Sequence, residues 1–293
     1  MGRALADAYP EARSTFDEAE AALPGLTALI LDGPEDQLVL TENAQPAILT
    51  ASIAAHRVLA ARGIEPAFVA GHSLGEYSAN VAAGTLAFGD AVRVVRQRGR
   101  YMQEAVPVGA GSMAAILGLD ADTVTRACEE ASHGEVVSPA NINGAGQVVI
   151  AGATAAVQRA GERAKALGAK RVIPLAVSAP FHCALLKPAE ERLGPDLRAL
   201  RTREPRMPIV ANVDAELKRD AVSAIDALVK QVSAPVRWEQ VVRRLASEGV
   251  TNYVEVGPGT VLSGLIKKIH RDARVFNFAA PDDLAALEEG LRA

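Results

Sequence analysis

What is scarce in this 293-residue sequence narrows the field first. It has only two cysteines, Cys128 and Cys183, too few for a disulfide framework, so a reducing cytosol is the expected setting. Aromatic residues make up 4% of the chain, which leaves little for base-stacking surfaces. Positive charge is not in excess: 31 Lys and Arg stand against 35 Asp and Glu, a net of −4, which argues against nucleic-acid binding. No apolar run approaches the roughly 18 residues of a membrane helix. The N-terminus carries no signal-peptide h-region, so no membrane association and a cytoplasmic location are expected. Nucleotide fingerprints fail as well. Gly257-Pro258-Gly259 has Leu262 where a third glycine is needed, and Leu265 stands where a phosphate-loop lysine would follow Gly264. Neither a metal nor a cofactor is expected. The remainder, 49% hydrophobic and 23% charged, is a soluble globular composition long enough for a large domain carrying a smaller one.

One stretch organises the rest. Ala67-Phe68-Val69-Ala70 reads as the end of a buried strand, Gly71-His72-Ser73-Leu74-Gly75 follows at once, and Glu76–Ala83 reads as a helix. Strand, G-x-S-x-G, helix is the context of a nucleophile elbow. The turn strains the serine backbone, and the glycines leave room for strand and helix to approach. The Ser73 hydroxyl then stands at a helix N-terminus, where free N–H groups favour developing negative charge.

Upstream, Met1–Leu23 is helical in character and interrupted at Pro10. Gln45–Arg62 is a long helix with Ile48, Leu49, Ile53, His56 and Leu59 on one face. Downstream, Asp90 is placed to cap a helix in which Ala91, Val94, Val95 and Met102 form one apolar stripe. Arg98 lies within that stripe, whereas Arg93, Arg96 and Arg100 fall on the solvated side. A buried arginine is costly unless it meets an anion. Two partners suit it: an internal carboxylate, or a substrate carboxylate held by the guanidinium fork.

From Gly111 the pattern changes to strand (Ser112–Leu117), helix (Ala121–Ser132), two strands (Glu135–Ala140 and Gln147–Ala151) about a turn at Asn141–Gly146, helix (Thr154–Leu167) and strand (Arg171–Val177). This βαββαβ order predicts a ferredoxin-like small subdomain over 108–179. It is inserted into a large subdomain formed by 1–107 and 180–293. The later segment has strands at Pro208–Val213, Tyr253–Val256 and Val275–Phe278. Helices near 184–200, 221–232, 237–248 and 259–270 separate them, which predicts an α/β fold with a mostly parallel sheet.

Of five histidines, His182 is the candidate base. It follows the last strand of the insert, at the junction of the two parts, where ligand sites form. His72 adjoins the serine but should point away, His56 lies in a core stripe, His133 in a turn, and His270 near a helix end. No acid precedes His182 in the pattern of an α/β hydrolase, so a carbonyl or an amide is left to fix its tautomer.

With these residues in view, the chain resembles the malonyl-CoA:acyl carrier protein transacylases of fatty acid synthesis and the acyltransferase domains of polyketide synthases. The likeness rests on Ala44-Gln45-Pro46-Ala47, the elbow through Tyr77, Gln97-Arg98-Gly99, Pro180-Phe181-His182, Asn212-Val213-Asp214 and Glu255–Gly259. The family fold is an α/β-hydrolase-like large subdomain with a ferredoxin-like insert. The resemblance implies Ser73 as nucleophile, His182 as base and acid, and the Gln231 main-chain carbonyl as the group orienting the histidine. It implies Leu74 N–H in the oxyanion hole and Arg98 on the malonyl carboxylate. Gln45, Met102 and Phe181 would line the site, and the bulky Phe181 would leave no room for an α-methyl. Malonyl-CoA and phosphopantetheinylated acyl carrier protein would be the substrates, and the protein a monomer without cofactor.

Family chains open with a strand and a Gly-Gln-Gly-Ser-Gln loop that supplies a second oxyanion N–H, and Met1-Gly2-Arg3 aligns just after it. A late start is the expected reason, and an impaired product the alternative, since one lost oxyanion donor costs about 10²–10³ in rate. The competing readings are a polyketide-pathway malonyltransferase, a serine esterase or thioesterase, and a silent carrier-binding module. Lys267 and Lys268, adjacent at a helix end, read first as a solvated face, with contact to an acidic carrier helix as the alternative.

Overall fold

The computed structural model describes residues 1–292. The chain begins with α1 (Arg3–Ala8), α2 (Pro10–Ala22), α3 (Leu26–Asp32), α4 (Glu35–Leu38) and α5 (Thr41–Ala60). Then come β1 (Val69–Ala70), α6 (Leu74–Ala82) and α7 (Phe88–Glu104). The middle holds β2 (Gly111–Leu117), α8 (Ala121–Ala131), β3 (Val137–Gly144), β4 (Gln147–Ala153), α9 (Thr154–Ala166) and β5 (Arg171–Pro174). The remainder is α10 (Lys187–Arg198), β6 (Ile209–Val210), β7 (Leu217–Lys218), α11 (Ala221–Gln231), α12 (Trp238–Ser247), β8 (Asn252–Val256), α13 (Val261–Ile269), β9 (Arg274–Phe278) and α14 (Asp283–Arg292).

Pro10 opens α2, where its missing N–H breaks no helical bond and its fixed φ suits the first turn. Pro46, near the start of α5, removes one bond without ending the helix, so α5 begins at Thr41 rather than Gln45. Leu49, Ile53 and Leu59 are buried as the periodicity predicts, but Ile48 is exposed and His56 only half-buried. α7 starts at Phe88, whose ring is buried. Asp90 therefore lies inside the first turn and pairs with Arg93 at 2.6 Å instead of capping. Arg96 is half-buried against Glu42 and Asn43 rather than fully solvated. Phe16 of α2, Ile53 of α5, Val95 of α7 and Leu193 of α10 meet in the main core, which carries α7 and so fixes Arg98.

The middle segment forms a four-stranded antiparallel sheet of order β3-β4-β2-β5, the ferredoxin-like arrangement. α8 and α9 bury Val124, Ala127, Val157 and Ala160 against it. The turn expected over Asn141–Gly146 is shorter. β3 runs to Gly144, and Ala145-Gly146 alone connects the strands with φ of 52° and 74°. Asn141 and Asn143 read as turn residues, yet they are buried strand residues whose side chains face the elbow side. Likewise β5 stops at Pro174, short of Val177.

In the rest of the chain β1–β6 and β8–β9 pair in parallel and β6–β7 antiparallel, so the mostly parallel α/β class holds. The strands lie in two sheets, β1-β6-β7 and β8-β9, with β1 and β8 as end strands. β6 is only Ile209–Val210, because Asn212 beyond it turns toward the elbow. Ile142 N donates to Val236 O and Val236 N to Ala140 O, both at 2.8 Å, which ties β3 to the segment before α12. Among the described residues no helix is long and apolar enough to cross a membrane.

Candidate active site

Ser73 stands between β1 and α6 with φ 52° and ψ −106°, a strained position for a side-chain-bearing residue, worth about 1–3 kcal/mol. Gly71 makes the turn possible: a Cβ there would come within 2.0 Å of the Gly75 carbonyl carbon. The motif predicts the same need at Gly75, but a Cβ on it meets nothing within 4 Å. Asn212 pins the elbow from β6. Its Oδ1 accepts from Ser73 N and its Nδ2 donates to Gly71 O, each at 2.7 Å. The Leu74 N–H, first in α6, has no backbone partner among the described residues and is available to a developing oxyanion.

His182 reaches this hydroxyl from the segment that follows the insert. Its Nε2 lies 2.7 Å from Ser73 Oγ and its Nδ1 2.9 Å from Gln231 O. A carbonyl only accepts, so Nδ1 carries the proton and Nε2 is the free base facing the serine. The orienting group is therefore a main-chain carbonyl at the end of α11. Burial, then the Arg98 charge, push the His182 pKa down to about 3, against the Gln231 bond that pulls the other way. The imidazole is neutral at pH 7. His72 points away from the site, with Nε2 3.0 Å from Asn143 Oδ1 and its ring against Trp238. Cys183, next to His182, is no rival nucleophile. Its Sγ donates to Pro180 O, and burial pushes its pKa up to about 11.

Arg98 is 2% exposed, and its partners are neutral oxygens. Nη1 donates to Gln45 Oε1 at 2.7 Å, while Nη2 donates to Gln231 Oε1 at 2.9 Å and to Ser73 Oγ at 3.0 Å. The Tyr77 ring lies beneath it, 5.2 Å from centroid to guanidinium carbon. Because Arg98 donates to Oγ, the serine proton is left to point at His182. Gln45 also places its Nε2 3.2 Å from Thr41 Oγ1 and 3.9 Å from Met102 Sδ. These groups line a cleft of about 280 Å³. Gln45, Ser73, Arg98, Met102, Phe181 and His182 line it together with Met113, Asn141, Leu175 and Val177 of the insert and its exit. Leu74, Gln231 and every other residue singled out for the site are thus gathered at one place.

Two residues had no assigned part in the sequence reading, although both stand in its motifs. Asn212 holds the elbow as described. Glu76, 1% exposed, accepts at Oε2 from Gln231 Nε2 (2.6 Å) and from Asn212 N (3.0 Å). The Gln231 side chain itself was also missed, since only its carbonyl was expected to act.

A serine on an elbow, a neutral histidine oriented by a carbonyl, and a buried cation beside the hydroxyl define an acyl-transfer site. The acyl transferase domain family matches residues 1–280, and the chain belongs to that family. Within it, the chain is 50% identical over 287 residues to the malonyl CoA-acyl carrier protein transacylase of Escherichia coli strain K12, covering 97% of this chain and 93% of that protein. It is 46% identical to the Bacillus subtilis strain 168 protein of the same name, over 97% and 90% of the two chains. The crystal structure of an acyl carrier protein S-malonyltransferase from Vibrio cholerae superposes with a TM-score of 0.96 at 46% identity, over 98% of this chain and 94% of that one. A malonyl-transacylase in complex with a type II PKS acyl-carrier protein gives the same score and identity, over 99% and 94%.

Proposed function

We propose that this chain is a cytoplasmic, monomeric acyl-carrier-protein S-malonyltransferase of fatty acid synthesis, with 108–179 as a ferredoxin-like small subdomain. The observation that carries the reading is Arg98, a buried cation with only neutral partners, 3.0 Å from the hydroxyl that His182 engages at 2.7 Å. A malonyl carboxylate supplies the missing anion and sets the thioester carbonyl over Ser73.

Transfer proceeds in two halves. Ser73 Oγ attacks the thioester carbon of malonyl-CoA as His182 Nε2 takes its proton, and the Leu74 N–H receives the oxyanion. The C–S bond breaks, His182 returns the proton to the CoA sulfur, and a malonyl-serine ester remains. The phosphopantetheine thiol of acyl carrier protein then gives its proton to His182 and attacks the ester. The C–O bond to Ser73 breaks, and the proton returns to Oγ. Side chains and main-chain groups of this protein serve every step, so the reading calls on no metal or cofactor. Met102 and Phe181 wall the acyl pocket and Gln45 holds Arg98 in place.

Intact mass after brief exposure to malonyl-CoA tests the reading. A malonyl increment that Ser73→Ala abolishes, and that holo acyl carrier protein removes, is the expected result. Rapid hydrolysis of simple esters with no malonyl-serine would overturn it in favour of an esterase. Tight carrier binding without acylation would favour a silent module.

A further inference from the structure

The side-chain amide of Gln231 can sit in either of two orientations related by a flip about its last bond, and they are chemically opposite. As found, Oε1 accepts from Arg98 Nη2 at 2.9 Å. Nε2 donates to Glu76 Oε2 at 2.6 Å and Ser73 O at 3.0 Å, with Asn212 Oδ1 at 3.4 Å. Flipped, the amide would turn N–H groups on the guanidinium and an oxygen on a carboxylate and a carbonyl. Ser73 O is a weak, neutral guide at the edge of the site. Glu76 is the acidic one, it is nearly fully buried, and α6 fixes it three residues beyond the nucleophile. We propose that Glu76 is a positioning residue. Its carboxylate locks the Gln231 amide with Oε1 toward Arg98, holding the guanidinium where a carboxylate-bearing acyl group must meet it. This rests on the assignment of Arg98 to the substrate carboxylate.

The arrangement is an acid and a cation bridged by an amide, an ion pair once Glu76 is ionised: Glu76 carboxyl oxygen, Gln231 N–H, Gln231 carbonyl, Arg98 guanidinium. Direct contact would spend Arg98 on an internal carboxylate and leave none of its charge for substrate. Bridging keeps the cation oriented while its remaining acceptors stay neutral and displaceable. Glu76 also takes the Asn212 N–H at 3.0 Å, so the same oxygen steadies the residue that pins the elbow. Burial raises the Glu76 pKa to about 7, opposed by the Asn212 and Gln231 bonds and by Arg98 and reinforced by Asp214. A group so costly to ionise there is consistent with a specific task.

The test compares initial rates of Ser73 acylation by malonyl-CoA and by acetyl-CoA, read as intact mass, alongside the melting temperature. Glu76→Ala should lower the malonyl-to-acetyl ratio at least about tenfold, and Glu76→Gln, whose amide oxygen can take both donors, should restore most of it. In a Gln231→Ala background Glu76→Ala should change the ratio no further, because the amide through which it acts is gone. A parental ratio in folded Glu76→Ala, or an additive loss in the double variant, overturns the proposal. If Glu76→Ala does not accumulate folded, Glu76→Asp, which withdraws the carboxylate by one methylene, is read against the same two criteria. Failure of the Arg98 assignment looks different: Arg98→Ala then keeps the parental ratio, whatever Glu76 variants do.

Discussion

Under the proposed function, Arg98→Ala should remove a preference for malonyl over acetyl groups and leave the two loaded about equally. In the free protein the guanidinium makes three hydrogen bonds of 2.7, 2.9 and 3.0 Å, all to neutral oxygens. A malonyl carboxylate exchanging two of these for charge-assisted bonds gains about 1.5–3 kcal/mol each. Losing roughly 3–6 kcal/mol lowers kcat/KM for malonyl-CoA by about two to four and a half powers of ten. Acetyl-CoA has no carboxylate to lose, and removing a buried charge that it cannot satisfy leaves its loading equal or faster. The ratio should therefore fall by at least about 100-fold. Truncation also strands Gln45 Oε1 and Gln231 Oε1, at about 1–3 kcal/mol each, so rates are taken well below the variant's own melting point. Arg98→Lys should recover only part of the preference, since a single ammonium cannot reproduce the fork between Gln45 and Gln231. An unchanged malonyl-to-acetyl ratio in folded Arg98→Ala refutes the reasoning.

Three further outcomes follow from the same geometry. With its pKa held down to about 3, His182 stays a free base as pH falls, so kcat/KM for malonyl-CoA should show no step in the ordinary histidine range near pH 6.5. A step near pH 7 that vanishes in Glu76→Gln belongs to Glu76, and one that persists contradicts the assignment. For Glu76 the folded pKa of about 7 exceeds the ordinary 4.5, so the native state holds the extra proton between those values and stability falls as pH rises through that window. Glu76→Gln should accordingly gain stability relative to the parent at pH 8 over pH 4.5, by up to about 3 kcal/mol, and equal gains at both pH values in thermal melts would contradict this. Gly71→Ala, which drives a Cβ to 2.0 Å from the Gly75 backbone, should abolish acylation and lower the melting temperature, whereas Gly75→Ala, open on that side, should leave the melting temperature unchanged or slightly raised. Equal behaviour of the two variants would mean that the elbow is built differently.

Much of the fold and the site is legible in the sequence. Ser73 announces itself because strand, turn and helix are consecutive, so the signal is local. Arg98 stands out against the apolar stripe of α7, and helical periodicity alone carries that information. The βαββαβ order of the insert likewise follows from alternating patterns, and the chain can meet its own sheet in few ways. The departures from pattern are local too. Asn141 and Asn143 have the chemistry of turn residues, and only packing against the elbow and the segment before α12 keeps them in β3. Asp90 resembles a cap until Phe88 is seen to be buried ahead of it.

What the chain order could not express is pairing across long separations. Asn212 meets Ser73 from 139 residues away, and Gln231 meets Glu76 from 155. Hydrogen bonds of that kind depend on a side chain's direction at one point of the folded body and leave no period in the sequence. For the same reason the Gln231 carbonyl and amide, the two-sheet arrangement of the short strands, and the neutral cage of Arg98 belong to the tertiary structure. Local pattern determined which chemistry this protein carries. Burial and long-range hydrogen bonding decided the orientation of each group, and so which substrate that chemistry accepts.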